Sequence, residues 1–138
     1  MTKPRLCTNW SVVIAKDLTT VTRWLTDCLG FSGRSIKSWR APYVDLVRDG
    51  LELHVVNGRE MEHVGRLPKG TSKPARSYAF AVEGLRGLHS ELVTRQAKCT
   101  DIYNDGRNHD CFVVEDPEGN RWKFWERRNR TQLASQEE

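Results

Sequence analysis

The chain has 138 residues, a formal net charge of +4, 38% apolar residues and five tryptophans. That is one domain's length, able to bury roughly two-thirds of the surface its unfolded form exposes, and no apolar run approaches the roughly 20 residues of a membrane-spanning helix. The positive charge is spread thinly, with one short basic run at Arg127-Arg128-Asn129-Arg130, so neither nucleic acid nor a membrane is an expected partner.

The start, Met1-Thr2-Lys3-Pro4-Arg5-Leu6-Cys7, lacks the apolar stretch of a secretory signal, and the default expectation is a cytoplasmic protein. Cys7, Cys28, Cys99 and Cys111 are widely spaced with no CxxC pair, which argues against a zinc knuckle and favours free thiols in a reducing compartment.

In chain order, Asn9 to Ala15 reads as a short β-branched strand. A helix follows, with Asp17 or Thr19 as cap, Val21, Trp24, Leu25 and Cys28 at helical spacing, and Gly30 where a left-handed residue closes it. Phe31 to Trp39 and Tyr43 to Arg48 predict two strands, the second turning at Asp49-Gly50 into a third, Leu51 to Val56. Residues 57–76, with Gly58, Gly65, Pro68, Gly70 and Pro74, show no sustained period and read as a connection.

The order then repeats. Ser77 to Val82 predicts a strand, Leu85, Leu88 and Leu92 share one helical face, and Cys99 to Tyr103, Asp110 to Glu115 and Arg121 to Glu126 supply three more strands. Glu115-Asp116-Pro117-Glu118-Gly119-Asn120, a tight turn feeding the last strand, echoes Arg48-Asp49-Gly50 ahead of Leu51-Glu52-Leu53-His54-Val55 at an offset of 67 residues. The same offset sets Asp17 on Gly84 and Leu18 on Leu85. The expectation is therefore an α+β fold, a single domain over 1–138. It comprises two β-α-β-β-β half-domains, 9–56 and 77–126, joined by 57–76 and trailed by a polar tail, 127–138, in an open curved sheet with a cleft.

Strand alternation divides each half into two faces. Trp122 and Phe124 belong to the helix-covered side, with Leu53 upstream, whereas Lys123, Trp125 and His54 fall on the side no helix covers. In the opening strands Val13, Ala15, Phe80 and Val82 are helix-side, which leaves Trp10, Val12 and Ile14, with Ser77, Ala79 and Ala81, on the open side. Trp24, Trp122 and Phe80 are expected in the core, and His63 and His89 on the surface.

With Trp24-Leu25-Thr26-Asp27-Cys28-Leu29-Gly30-Phe31 after the first strand and Asp116-Pro117-Glu118-Gly119-Asn120 before the last, the chain resembles the vicinal oxygen chelate superfamily over about residues 9 to 126. That group includes glyoxalase I, extradiol dioxygenases, and fosfomycin and bleomycin resistance proteins. Phe31-Ser32, Leu46-Val47-Arg48-Asp49 and Val82-Glu83-Gly84-Leu85 are most similar to the bleomycin resistance branch. The superfamily's enzymes hold a divalent metal at four places on the first and last strand of each half; carried over, these are Trp10, His54, Ser77 and Lys123. His54 alone among them is a competent ligand, because Lys123 sets an ammonium where a cation belongs.

The resemblance therefore implies binding without a cofactor or a catalytic residue, by a homodimer whose clefts draw on one chain or on both. The expected ligand is small, aromatic or amphipathic, and neutral or anionic, an antibiotic being one option. Its expected contacts are Trp10, Trp39, Tyr43, His54, Ser77, Cys111, Lys123 and Trp125. The rival expectation is a metal-dependent lyase or dioxygenase with shifted ligands drawn from Glu52, Glu126, Asp110 and His109. Cys111, with Lys123 nearby to stabilise a thiolate, is weighed as a reactive thiol.

Overall fold

The computed structural model describes residues 3–6, 10–37, 42–65, 68 and 76–128. Trp39, Cys7 and the tail from 129 lie outside the described residues. The elements are β1 (Arg5–Leu6), β2 (Trp10–Ala15), α1 (Leu18–Asp27), β3 (Ser32–Lys37), β4 (Pro42–Arg48), β5 (Leu51–Asn57), α2 (Gly58–His63), β6 (Ser77–Glu83), α3 (Leu85–Thr94), β7 (Lys98–Cys99), β8 (Tyr103–Asn104), β9 (His109–Glu115) and β10 (Arg121–Arg127).

The architecture is α+β, with two βαβββ halves. The first half forms a four-stranded sheet in the order β2-β5-β4-β3, with β2 and β5 parallel. The second forms a curved sheet in the order β1-β6-β10-β9-β7, with β8 also on β9 and with β6 and β10 parallel. Three details differ from the sequence reading. The two-residue β1 pairs with β6 and was too short to carry a period. The expected strand Cys99 to Tyr103 is two separate pieces, β7 and β8, each laid on β9. The connection after β5 opens with the six-residue α2, where Asn57 Oδ1 accepts from Glu60 N at 2.9 Å and Met61 is buried. Such a cap is a signal that the surrounding glycines and prolines mask.

Local chemistry fixes the breaks between elements. Asp17 caps α1 by accepting from Thr20 N at 3.1 Å. Asp49 and Gly50 both have positive φ, 51° and 84°, the requirement of the tight two-residue turn between β4 and β5. The N-cap of α3, Gly84, has no side chain to offer; its N–H and that of Leu85 donate instead to Glu126 at 2.9 and 3.1 Å. A carboxylate there also complements the positive end of the helix dipole.

The helix-bearing faces of both sheets meet in a shared core, which includes Val13, Val21, Leu25, Leu53, Val55, Phe80, Leu88, Phe112, Trp122 and Phe124. Trp122 lies at the junction: its ring is 5.4 Å from Trp24 of α1, 4.8 Å from Tyr78 and 5.5 Å from Phe80. Polar links cross the same boundary. Ile14 N donates to Tyr78 Oη at 3.0 Å, the Glu118 carboxylate accepts from Lys16 N and Asp17 N, and Arg48 bridges Leu29 O and Glu91 at 2.7 Å each. His89, expected at the surface, is half-buried, with its edge against Phe112 and Nε2 2.8 Å from Thr100 O.

Asp116, 5% exposed, holds the turn before β10. Its Oδ1 accepts from Glu118 N and Asn120 N at 2.8 and 2.9 Å, and its Oδ2 from Asn120 Nδ2 and Trp122 Nε1 at 2.8 and 3.0 Å. Asp116→Ala strands four donors in a water-poor site and is expected to cost about 2–4 kcal/mol. Urea unfolding checks this: the midpoint falls with little change in slope, and an unchanged midpoint contradicts the role given to this turn.

Candidate ligand-binding faces

Because the helix-bearing faces are consumed in the shared core, the helix-free faces point outward. On the first half this face carries Trp10, Val12 and Ile14 of β2, Glu52, His54 and Val56 of β5, and Tyr43, Asp45 and Val47 of β4, as the register dictates. Trp10 is 60% exposed, and Val12 and Val47 are also exposed. On the second half it carries Ser77, Ala79 and Ala81 of β6, Arg121, Lys123 and Trp125 of β10, and His109, Cys111 and Val113 of β9.

His54 stands directly opposite Val12 on one side and Asp45 on the other. Its Nδ1 is 2.7 Å from Asp45 Oδ1, and Tyr43 packs on its ring at 4.5 Å. Lys123 occupies the matching place, opposite Ala79, with its Nζ 3.9 Å from Asp105 Oδ2. Trp10 and Ser77 stand two residues earlier, opposite Glu52 and Arg121. Asp105 also holds His109, Oδ2 to Nδ1 at 2.9 Å, and the His109 ring lies 4.8 Å from Trp125. Burial acts to raise the Asp105 carboxyl, but hydrogen bonds from Arg107 N, His109 Nδ1 and His109 N outweigh it and hold the group below its ordinary value.

Each half thus places a carboxylate-held histidine against an aromatic ring on its helix-free face. Sequence reading selected Tyr43, His54, Lys123 and Trp125 but passed over Asp45 and Asp105. Asp45 was accessible by alternation from Tyr43 in β4; Asp105, in the loop between β8 and β9, had no such signal.

These residues do not fit a divalent metal. His54 leaves Nε2 free, but Val12 and Ala79 opposite His54 and Lys123 carry no side-chain donor atoms, and Lys123 brings a positive charge. Of the shifted candidates, Glu126 and Asp110 lie on the helix-bearing side, Glu126 bound to the start of α3 and Asp110 to Arg128 at 2.7 Å. Glu52 and His109 do share the helix-free side, but on different halves. Among the described residues no group of three or more His, Cys, Asp or Glu side chains could hold a metal ion.

A cavity of about 530 Å³ opens beside the second face, lined by Lys98, Cys99, Thr100, Tyr103, Val113, Glu115 and Arg121. That volume lies within the range of small-molecule sites. Lys98 is paired to Glu115 at 2.8 Å across its edge.

A comparison with protein-family models finds no match, and neither does one with curated protein sequences. Solved structures do match. A glyoxalase/bleomycin resistance protein/dioxygenase from Nocardioides superposes with a TM-score of 0.67 at 15% identity, covering 91% of this chain and 85% of its own. TnmS3, an antibiotic binding protein from Streptomyces sp. CB03234, gives 0.68 at 13% identity, with 88% and 96% covered. A lactoylglutathione lyase from Agrobacterium tumefaciens gives 0.64 at 13%, with 87% and 92% covered. The chain has the fold of the vicinal oxygen chelate superfamily. At these identities the likeness defines the fold, and one fold hosts binders and enzymes alike.

The thiols are placed unfavourably for nucleophilic chemistry. Cys111 is fully buried, and its Sγ donates to His109 O at 3.6 Å. Burial raises its thiol above the ordinary value despite the opposing pull of Lys123. Burial, helped by neighbouring Cys28, pushes Cys99 up to about 11. At pH 8 both thiols are held in the unreactive protonated form. Peptide mapping after iodoacetamide treatment is expected to find Cys99 and Cys111 alkylated at least about tenfold more slowly in the folded chain than in urea, with the Cys99 rate climbing as pH approaches 11. Rapid labelling of folded Cys111 at pH 8 contradicts this placement.

Proposed function

We propose that this protein binds and sequesters a small planar ligand, aromatic or amphipathic and neutral or anionic, on its helix-free faces and without catalysing a reaction. The observation that carries the reading is the character of those faces. They expose Trp10, Val12 and Val47 on the first half and Tyr103 on the second, with His54 and Lys123 as polar anchors among them. Outward apolar surface flanked by polar groups marks a place that something else covers, and rigid aromatic rings give contact area at small entropic cost.

A homodimer supplies the missing wall. The first face carries Asp45 and Glu52; the second carries Arg121 and Lys123, with the Lys98–Glu115 pair at its edge. Laying the first face of one copy over the second face of another matches opposite charges, and a twofold arrangement makes two such clefts. In each, Trp10, Tyr43 and Trp125 supply stacking surface, while Lys123 anchors an anionic group. TnmS3, described as an antibiotic binding protein, supports an antibiotic as one ligand. A metal-dependent lyase needs a ligand set, and among the described residues no group of three or more His, Cys, Asp or Glu side chains could hold a metal ion.

Sedimentation equilibrium tests the assembly: a species of about twice 15.9 kDa is expected, dissociating in Trp10→Asp. Tryptophan quenching by 2-naphthoate tests the site. Lys123→Glu is expected to weaken binding about three- to tenfold and to leave uncharged 2-methoxynaphthalene unaffected. Equal naphthoate affinity in both proteins removes the anchor role, and activity lost to a chelator favours the lyase.

A further inference from the structure

The Asp45–His54 pair decides what the first face offers a ligand. The two residues are direct partners across β4 and β5, and the carboxylate Oδ1 lies 2.7 Å from Nδ1. An ionised carboxylate has only acceptors, so in the neutral imidazole the proton resides on Nδ1 and Nε2 carries the lone pair. Tyr43, 4.5 Å away, braces the ring plane, and the side chain keeps 30% of its surface open. The neighbouring polar groups of this face, Asp45 and Glu52, are acceptors as well. The second face adds donors from Lys123 and Arg121, beside the carboxylates of Asp105 and Glu115.

We propose that Asp45 is a positioning residue that holds His54 in the Nδ1–H form, so that Nε2 accepts a hydrogen bond and the first face selects planar ligands bearing a hydroxyl donor. This rests on the binding reading above and narrows it: the ligand carries an aromatic or enolic O–H at one end and an anionic group, met by Lys123, at the other. A site built around an acceptor discriminates sharply, because an analogue without the donor leaves a desolvated lone pair unmatched.

Two measurements on the full chain test this. Long-range ¹H–¹⁵N correlation of the imidazoles at pH 8, where a histidine is ordinarily neutral, is expected to find His54 protonated at Nδ1 and bare at Nε2. In Asp45→Asn, whose amide can donate to Nδ1, the proton is expected to move largely to Nε2. A wild-type His54 protonated at Nε2 overturns the proposal. The second measurement compares 6-hydroxy-2-naphthoate with 6-methoxy-2-naphthoate, which share ring and carboxylate. Wild type is expected to prefer the hydroxyl compound by about tenfold.

Asp45→Asn and His54→Phe, which retains a ring against Tyr43, are expected to bring the two probes within about twofold of one another. Equal binding of both probes to wild type, or a preference that survives in Asp45→Asn, overturns the role of Asp45 but leaves the aromatic binding face standing. If neither naphthoate binds, the binding reading itself falls and the ligand selection falls with it, whatever the tautomer.

Discussion

The indole of Trp122 is the interaction on which the rest of this structure depends. It is fully buried where the two halves meet, against Trp24 of the first half and against Tyr78 and Phe80 of the second. Burying so large a ring is favourable only if its N–H finds a partner, and Asp116 supplies one at 3.0 Å. The same carboxylate closes the turn that starts β10, so the position of the strand and the position of the indole are set together. Its neighbours extend the effect. Asn120 Oδ1 accepts from Arg76 N, anchoring the start of β6; Glu118 engages the residues that open α1, and Glu126 those that open α3. One segment of eleven residues therefore fixes the beginnings of two helices and a parallel strand pair.

The shared core also decides which sheet faces are left open. With both helices between the sheets, each sheet spends its helix-bearing side on the shared core, and the opposite side faces outward. Along the parallel pairs β2–β5 and β6–β10, every second residue is committed to the core and every other one to the outside. Trp125 and Lys123 alternate with Phe124 and Trp122, so the strand that anchors the fold also presents functional groups. Core-facing and outward-facing side chains are separated by a single peptide unit.

That separation is why so much was legible in the sequence. The repeat at 67 residues reflects the two βαβββ halves, and alternation assigns Leu53, Trp122 and Phe124 inward and His54, Lys123 and Trp125 outward, where the structure has them. The misses have physical causes. β1 is two residues long and exists because β6 offers an edge; α2 has six residues and an Asn cap within a glycine-rich stretch. The resemblance set His54 and Lys123 at matching places, yet which residue faces each across the parallel pair, Val12 and Ala79, depends on register, which composition does not encode. Asp105 reaches His109 and Lys123 through a loop whose path only tertiary structure defines.

At the two matching places on the helix-free faces, the side chains present are held by partners within the protein. At one of two matching places stands an imidazole already bound to Asp45, and at the other an ammonium drawn toward Asp105. The imidazole and the ammonium each have a protein partner of opposite character. What remains unused is directional: a lone pair on the first face and N–H donors on the second. A divalent ion needs several converging acceptors, whereas an aromatic molecule with a hydroxyl at one end and a negative charge at the other needs one of each.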